Sequence, residues 1–511
     1  MSGLEVPTKG ATVRMYRQGH GDCFLLAFPR EGGGDPVFVL IDCGYKPGSP
    51  AFVHGKKIGD VVDHIGQTTG YRLDLVVITH EHQDHVNGFW KKDQPYFRDF
   101  EIQEAWFAWT EDAADELAND LRRRHRDQLL GLLEARRRLA LAVGEDDSAV
   151  HRLDSLLSLE LGAEEEGFEP EAFLAAAKDP TKSTNKQGMM LVKDKAAAHR
   201  GVRYLSPGGE PLEIPGTSGV RAYVLGPPRD PDLLSDEDPV GKEGFPQGDS
   251  SSHGISFGAA VDSVTDRCTA PFSRQYRLTK SDALDPSSGQ EDEFFSLRYG
   301  AGKAENEEAD ATECPAGPSW RRIDEDWLYS AENLALKLNS GINNTSLVLA
   351  FELPATGKVL LFPGDAQRGN WISWTRQTWM DGAREVTAQE ILGRTVLYKV
   401  SHHCSHNATL AGTVDDAYPN LSWMARGAFA AEFTAMITAV EKWALTKNDP
   451  PWRHPLPSIK KALETKAQGR VLQTDTDLPS RPQDLSEATW QAFLSRTVFD
   501  DVFFDLKILD E

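Results

Sequence analysis

The chain has 511 residues, 40% hydrophobic and 26% charged, a globular composition with room for one large domain carrying insertions or for two to three smaller ones. No apolar run approaches the roughly 18 residues of a membrane span, residues 1–15 lack the apolar core of a secretory signal, and the five cysteines form no CxxC pair. Such a sparse, odd set fits a reducing compartment and predicts a cytoplasmic location. The net charge of −23 disfavours broad binding to duplex backbones. It leaves a nucleotide or nucleic-acid substrate open, because a metal site supplies its own local positive charge.

In chain order, Val13–Tyr16, Cys23–Phe28 and Val37–Ile41 are short apolar or alternating runs separated by Gly-rich turns, and they read as strands. Leu73–Ile78 is an almost continuous apolar run, the pattern of a strand buried on both faces. From 111 to 178 the texture turns to Ala, Leu, Arg and Glu. Leu117, Leu121, Leu129, Leu132, Leu133 and Leu139 recur at helical spacing, which predicts two or three helices. His125 and His151 fall in this texture and are expected at the surface. Strands are predicted at Val202–Leu205 and Arg221–Leu225. Residues 229–325, rich in Asp, Glu, Ser, Gly and Pro, predict a long irregular segment. A helix at Trp327–Leu338 precedes strands at Ser346–Glu352, Lys358–Phe362 and Thr395–Val400. Helices near Ala428–Thr446 and Ile459–Lys466 and a strand at Arg470–Gln473 follow.

The sharpest chemical signal is ITHEHQDHVNG, which puts His80, His82, Asp84 and His85 directly after the Leu73–Ile78 strand. Four donors within six residues on a loop leaving a buried strand make a metal-site arrangement. The His-x-His alternation aims two imidazoles at one ion, and the Asp-His pair beyond the turn can reach a second. Asp42 in VLIDCG, Asp365 in KVLLFPGDA, and His402 and His403 in TVLYKVSHHCSH stand at further strand ends. Donors at the ends of several parallel strands converge on one crevice at a sheet edge.

Taken together, Asp42-Cys-Gly, His80-x-His82-x-Asp84-His85, Gly364-Asp365 and His402-His403 resemble, in order, the motifs of the metallo-β-lactamase-fold hydrolases. GHGDCFLL (Gly19–Leu26), NNTSLVL (Asn343–Leu349), YKVSHHCS and WRHP (Trp452–Pro455) are similar to elements of its ComEC-type competence-protein branch. The motifs cover about 10–90, 200–228 and 340–480. Cys404 stands where that branch usually has Gly. The superfamily's usual third histidine has no clear counterpart, with His253 the nearest candidate.

The resemblance implies an α/β fold, a metallo-β-lactamase-type αββα sandwich with the metals at one edge. Its first half would span 1–110, with a helical insertion at 111–200 and a return to the core sheet at 201–228. An acidic irregular insertion at 229–325, a second half at 326–480 and a C-terminal segment at 481–511 would complete it. His80 and His82, with Asp365 bridging, would hold one divalent ion; Asp84, His85 and His403, with Asp365, the second. Zinc suits mixed imidazole and carboxylate donors, with manganese the alternative. A water between two such ions falls in pKa from about 15.7 to about 7 and serves as nucleophile. Asp84 and Asp365 would thus be catalytic as well as ligating. Asp42 would orient a ligand histidine or fix the loop, and Lys399, His402 and His454 would contact substrate or protonate the leaving group.

The expected activity is metal-dependent hydrolysis of a phosphodiester, in nucleic acid or a nucleotide, with no membrane partner; the insertions would offer a surface to a protein partner. Hydrolysis of an amide, lactone or thioester is the second enzyme class, and a scaffold subunit retaining a structural metal the non-enzymatic one.

Overall fold

The computed structural model describes residues 4–90, 96–162, 170–179, 182–247, 335, 341–447 and 452–511. The fold is mixed α/β. In chain order the strands are β1 (Gly10–Tyr16), β2 (Cys23–Phe28), β3 (Val37–Cys43), β4 (Arg72–Leu73), β5 (Leu75–Val77), β6 (Glu101–Ile102), β7 (Glu104–Ala108), β8 (Gly201–Leu205), β9 (Leu212–Glu213) and β10 (Arg221–Gly226). They continue as β11 (Val348–Glu352), β12 (Val359–Phe362), β13 (Thr378–Asp381), β14 (Arg384–Thr387), β15 (Thr395–Lys399), β16 (Thr434–Ile437), β17 (Val471–Gln473), β18 (Thr497–Phe499) and β19 (Phe503–Leu509). The Leu73–Ile78 run breaks at Asp74, whose carboxylate accepts from the Phe38 amide and from Arg30.

Two large sheets result. One has the order β18-β19-β1-β2-β3-β5-β7-β8, the other β17-β16-β15-β12-β11-β10-β9. Each is antiparallel in one half and parallel in the other. In the first sheet β3, β5, β7 and β8 run parallel; in the second β12, β15, β16 and β17 do. The parallel halves place several strand carboxyl ends side by side, the edge at which open α/β sheets gather functional groups.

The period-2 alternation of each strand decides the layering. Phe24, Leu26, Val39 and Ile41 of the first sheet share a buried core with Val224, Leu349, Leu360 and Phe362 of the second. Phe24 and Phe362 meet edge to face, ring centroids 5.4 Å apart. The alternate residues of each strand turn the other way. Leu25, Ala27 and Val76 pack against the helices Ile58–Thr69 and Thr184–Ala197. Ala350, Leu361 and Tyr398 pack against the helices Arg368–Ser373, Ala388–Gly393 and Pro457–Lys466. Truncating Phe24 to Ala opens the middle of the inter-sheet core, at a cost of about 3–5 kcal/mol.

Contacts divide the chain into two units: Met1–Leu130, Asp154–Ser250 and Lys337–Glu511, and Gly131–Leu153 with Ser251–Leu336. The described part of the second is mainly helical, with Leu132, Leu133, Leu139 and Val150 buried. No helix among the described residues is long and apolar enough to cross a membrane.

Several elements differ from the sequence reading. Among the described residues, 111–178 carry three helices as expected, Glu116–Val143, Ser148–Leu161 and Pro170–Lys178, and a further helix, Thr184–Ala197, that the reading did not include follows them. The stretch Ala428–Thr446 is not one helix; a 3-10 turn at Gly427–Ala431 leads into β16, a buried parallel strand, and an α-helix forms only at Glu441–Ala444. A short apolar run gives no periodicity with which to tell a doubly buried strand from a helix. The segment 481–511 contributes β18 and β19, which extend the first sheet. The start of the 229–325 segment is anchored, with a short helix at Pro231–Leu234 and Arg368 paired to Asp236 and Glu243. Its remainder, His253 and nearly all of Trp327–Leu338 lie outside the described residues.

Candidate metal centre

All residues of the centre belong to the first unit. Asp22, His85, Asp365 and His403 form a buried group whose donor atoms lie within 4.8 Å of one another, and which could hold a metal ion. Each comes from a turn leaving or entering a core strand. Asp22 precedes β2, His85 sits on the single turn Gln83–Val86 beyond β5, Asp365 follows β12 and His403 follows β15. Backbone constraints aim them. Gly364 is left-handed (φ 57°), and a Cβ there would press on Thr79 and Ser346. A Cβ on Gly44 would lie 2.4 Å from the His85 amide nitrogen. Both turns therefore need glycine.

The two imidazoles are held alike. His85 Nδ1 lies 2.8 Å from Asp42 Oδ2; His403 Nδ1 lies 3.1 Å from the Thr438 carbonyl oxygen. A proton on each Nδ1 leaves each Nε2 to project forward. Forward, His85 Nε2 is 3.1 Å and His403 Nε2 3.2 Å from Asp365 Oδ2, and His403 Nε2 is 3.3 Å from Asp84 Oδ2. Although close to carboxylate oxygens, neither Nε2 makes a hydrogen bond of acceptable direction. A tetrahedron with arms of about 2.0–2.1 Å has edges of about 3.3 Å, so these spacings suit donors around one zinc-like ion. Asp22 approaches both rings from the Nδ1 side, at 3.7 and 3.8 Å. It is also bonded by Lys399 and by the Thr438 hydroxyl, so it braces the group from behind.

The electrostatics agree with a cation site. Burial opposes charge on His85, yet Asp365, Asp22 and Asp42 hold its imidazolium well above the usual range. Against the same burial, Asp365 and Asp84 bring His403 up to about 9. Burial likewise opposes charge on Asp365, which His403, His85 and Lys399 nevertheless keep well below the ordinary carboxylate value. A field that favours imidazolium favours a divalent cation in the same place.

His80 and His82 stand beside this group as a separate pair. His80 Nε2 and His82 Nδ1 are 3.1 Å apart, and the His80 and His85 ring centroids 4.2 Å. His80 Nδ1 lies 3.0 Å from the Thr79 hydroxyl. Burial first, then His85 and His82, push His80 well below its ordinary value, so it is neutral. His82 Nε2 faces Glu160 Oε1 at 3.2 Å, and the other Glu160 oxygen lies 3.3 Å from His125. His125, expected at the surface, is therefore half-buried against a carboxylate.

The remaining candidates separate. The Lys399 ammonium contacts Asp22, Asp365 and the Gly364 carbonyl. Its three donors are thus committed, and it is an internal counter-ion rather than a group facing substrate. His402 is gripped by Asn343 and Asn407, and burial pulls it down to about 4. His454 stacks on Trp452 and His20, with its Nδ1 unpartnered. His402, His403 and Cys404 are three successive left-handed residues (φ 39°, 48° and 63°), which is where glycine at 404 would relax the turn. Sequence reasoning missed Asp22 and Glu160 as members of the site. The Gly-rich GHGD turn offered a signal for Asp22; Glu160, in an ordinary helical stretch, offered none.

No protein-family model matches the chain, and no curated protein matches it.

Proposed function

We propose that the protein is a metal-dependent phosphodiesterase of the metallo-β-lactamase type, with an αββα sandwich carrying a two-ion centre at the edge where the parallel strands end. The observation that carries this reading is the pair of forward-facing Nε2 atoms of His85 and His403, both within 3.2 Å of the same Asp365 oxygen. The adjacent His80–His82 pair supports a second ion. His85, His403, Asp84 and Asp365 would hold one ion; His80, His82 and the shared Asp365 the other. Divalent ions bound there would polarise a phosphoryl oxygen and make water nucleophilic near neutral pH.

The chain's own residues do the rest. Asp42 and the Thr438 carbonyl fix the tautomers of His85 and His403, and Glu160 that of His82. Lys399 balances part of the negative charge on Asp22 and Asp365, so that anionic substrate meets less repulsion from behind the site. A phosphodiester is favoured over a neutral lactam because a compact cationic patch on an acidic protein attracts an anion most. The test is turnover of a chromogenic phosphodiester with Zn²⁺ or Mn²⁺, abolished in His82→Ala, beside a chromogenic β-lactam. Lactam turnover without phosphodiesterase activity under both metals would overturn the substrate assignment.

A further inference from the structure

Beside the His403 end of the centre lies a group that the proposed chemistry does not use. Trp443 and Trp452 meet edge to face, centroids 6.1 Å apart, and each carries a lysine over its ring. Lys46 Nζ is 4.3 Å from the Trp452 centroid and Lys447 Nζ 4.8 Å from that of Trp443. The tryptophans lead back to the centre through stacked imidazoles. Trp452 lies on His454 at 5.7 Å, His454 on His20 at 5.5 Å, and His20 is 4.5 Å from His403.

Among the described residues neither lysine pairs with a carboxylate, in a chain with 78 acidic residues. Lys46 is only 8% exposed, and because a buried ammonium without an anion is costly to keep, burial pulls it down to about 7. The unpartnered Nδ1 of His454 adds an unsatisfied buried polar atom to the same corner. Indole faces hold the lysine stems and ammonium groups in place without neutralising them. An anion supplied from outside would.

We propose that Lys46 and Lys447 form a subsite for a second phosphate of the substrate, next to the one at the metal centre. The inference rests on the phosphodiesterase reading and names its preferred substrate class: a phosphodiester carrying a further phosphate on the adjoining unit, rather than an isolated one. The acidic remainder of the surface then repels long duplex, while a short phosphorylated strand finds its two anionic positions matched.

The experiment compares a thymidine dinucleotide with and without a terminal 5′-phosphate. The wild type should favour the phosphorylated form in kcat/KM by about tenfold or more, the scale of one or two charge-assisted hydrogen bonds. In Lys46→Met and Lys447→Met the preference should fall toward one, with metal content unchanged; Met keeps the apolar stem on the indole. Lys46→Arg should retain most of it. Calorimetric titration of the metal-loaded protein with inorganic pyrophosphate gives a readout independent of turnover, and should weaken about tenfold in the double Met variant. An undiminished preference in the Met variants, or equal pyrophosphate affinity in wild type and double variant, overturns the subsite. Should the wild type cleave neither dinucleotide, the proposed reaction falls, and the pyrophosphate titration alone still decides the subsite.

Discussion

The two imidazole arms of the proposed two-ion centre are built to one plan from different parts of the chain. In the first, His85 is held through Nδ1 by Asp42, at the end of the core strand β3. Asp42 is itself fixed by the Thr79 amide and hydroxyl at 2.8 and 2.6 Å. In the second, His82 is held through Nε2 by Glu160, near the end of the helix Ser148–Leu161, with His125 as its other partner. A carboxylate behind a ligand histidine selects the tautomer and steers the free nitrogen. The difference lies in what carries that carboxylate. One is part of the sheet that makes the core; the other arrives on a helix of the 111–200 insertion. The first arm is thus as firm as the fold, and the second only as firm as the placement of that helix.

Substitutions can break this comparison, and the largest effect belongs to the residue both arms would share in the proposed centre. Asp365→Asn keeps the shape and removes the charge. Metal content by mass spectrometry should fall for both ions, and turnover by more than about a hundredfold, beyond the usual effect of an outer residue. Full stoichiometry with normal turnover would refute sharing. Asp42→Asn should come next. Affinity for the ion at His85 should drop by about 10–100-fold, and the mispaired Thr79 and His85 groups should lower stability by about 1–3 kcal/mol in a denaturant titration.

Glu160→Gln tests the other arm. It should weaken only the ion at His80 and His82, by about tenfold, with a much smaller change in denaturant midpoint than Asp42→Asn. Equal loss of both ions would show that the arms are not separable. The smallest effect concerns the helix Glu116–Val143, which carries His125. Glu134 is held down to about 2 by hydrogen bonds from Arg137 and then Arg138. Its folded value lies below its unfolded one, so its contribution is present above about pH 4.5 and is lost as pH falls toward 2. Solvent screening limits it to about 0.5 kcal/mol. The wild type and Glu134→Gln should therefore differ slightly in thermal midpoint at pH 6 and converge near pH 2.

What was legible in the sequence followed the strength of local pattern. Strand-end motifs such as ITHEHQDH and FPGD name their chemistry because the donors are close in sequence and follow a clear apolar run. The helix Pro457–Lys466 was legible from its 3.6-residue period. β16 was not, since TAMI is too short to show any period. Glu160 was hidden for a different reason. Nothing local distinguishes it from the other acids of a helical stretch, and its meaning comes from His82, 78 residues away. Lys46 and Lys447 share that opacity, because an unpaired lysine is defined by what fails to surround it.

The pairing of β1 with β19 bears on when the molecule can first exist. Arg14 in β1 is fully buried, and its guanidinium is clasped by Asp505 of β19 at 2.7 Å through two bonds, from 491 residues away. A buried guanidinium without its carboxylate is strongly destabilising. During synthesis, therefore, the first sheet has no comfortable resting state, even with β1, β2 and β3 long since out of the ribosome. It must wait, with an open edge beside β1, until Asp505 emerges. Closure across so long a separation is slow, and the exposed edge is a site for wrong pairing in the interval. Completion of this sheet is accordingly a late event, and one during which a chaperone would have something to hold.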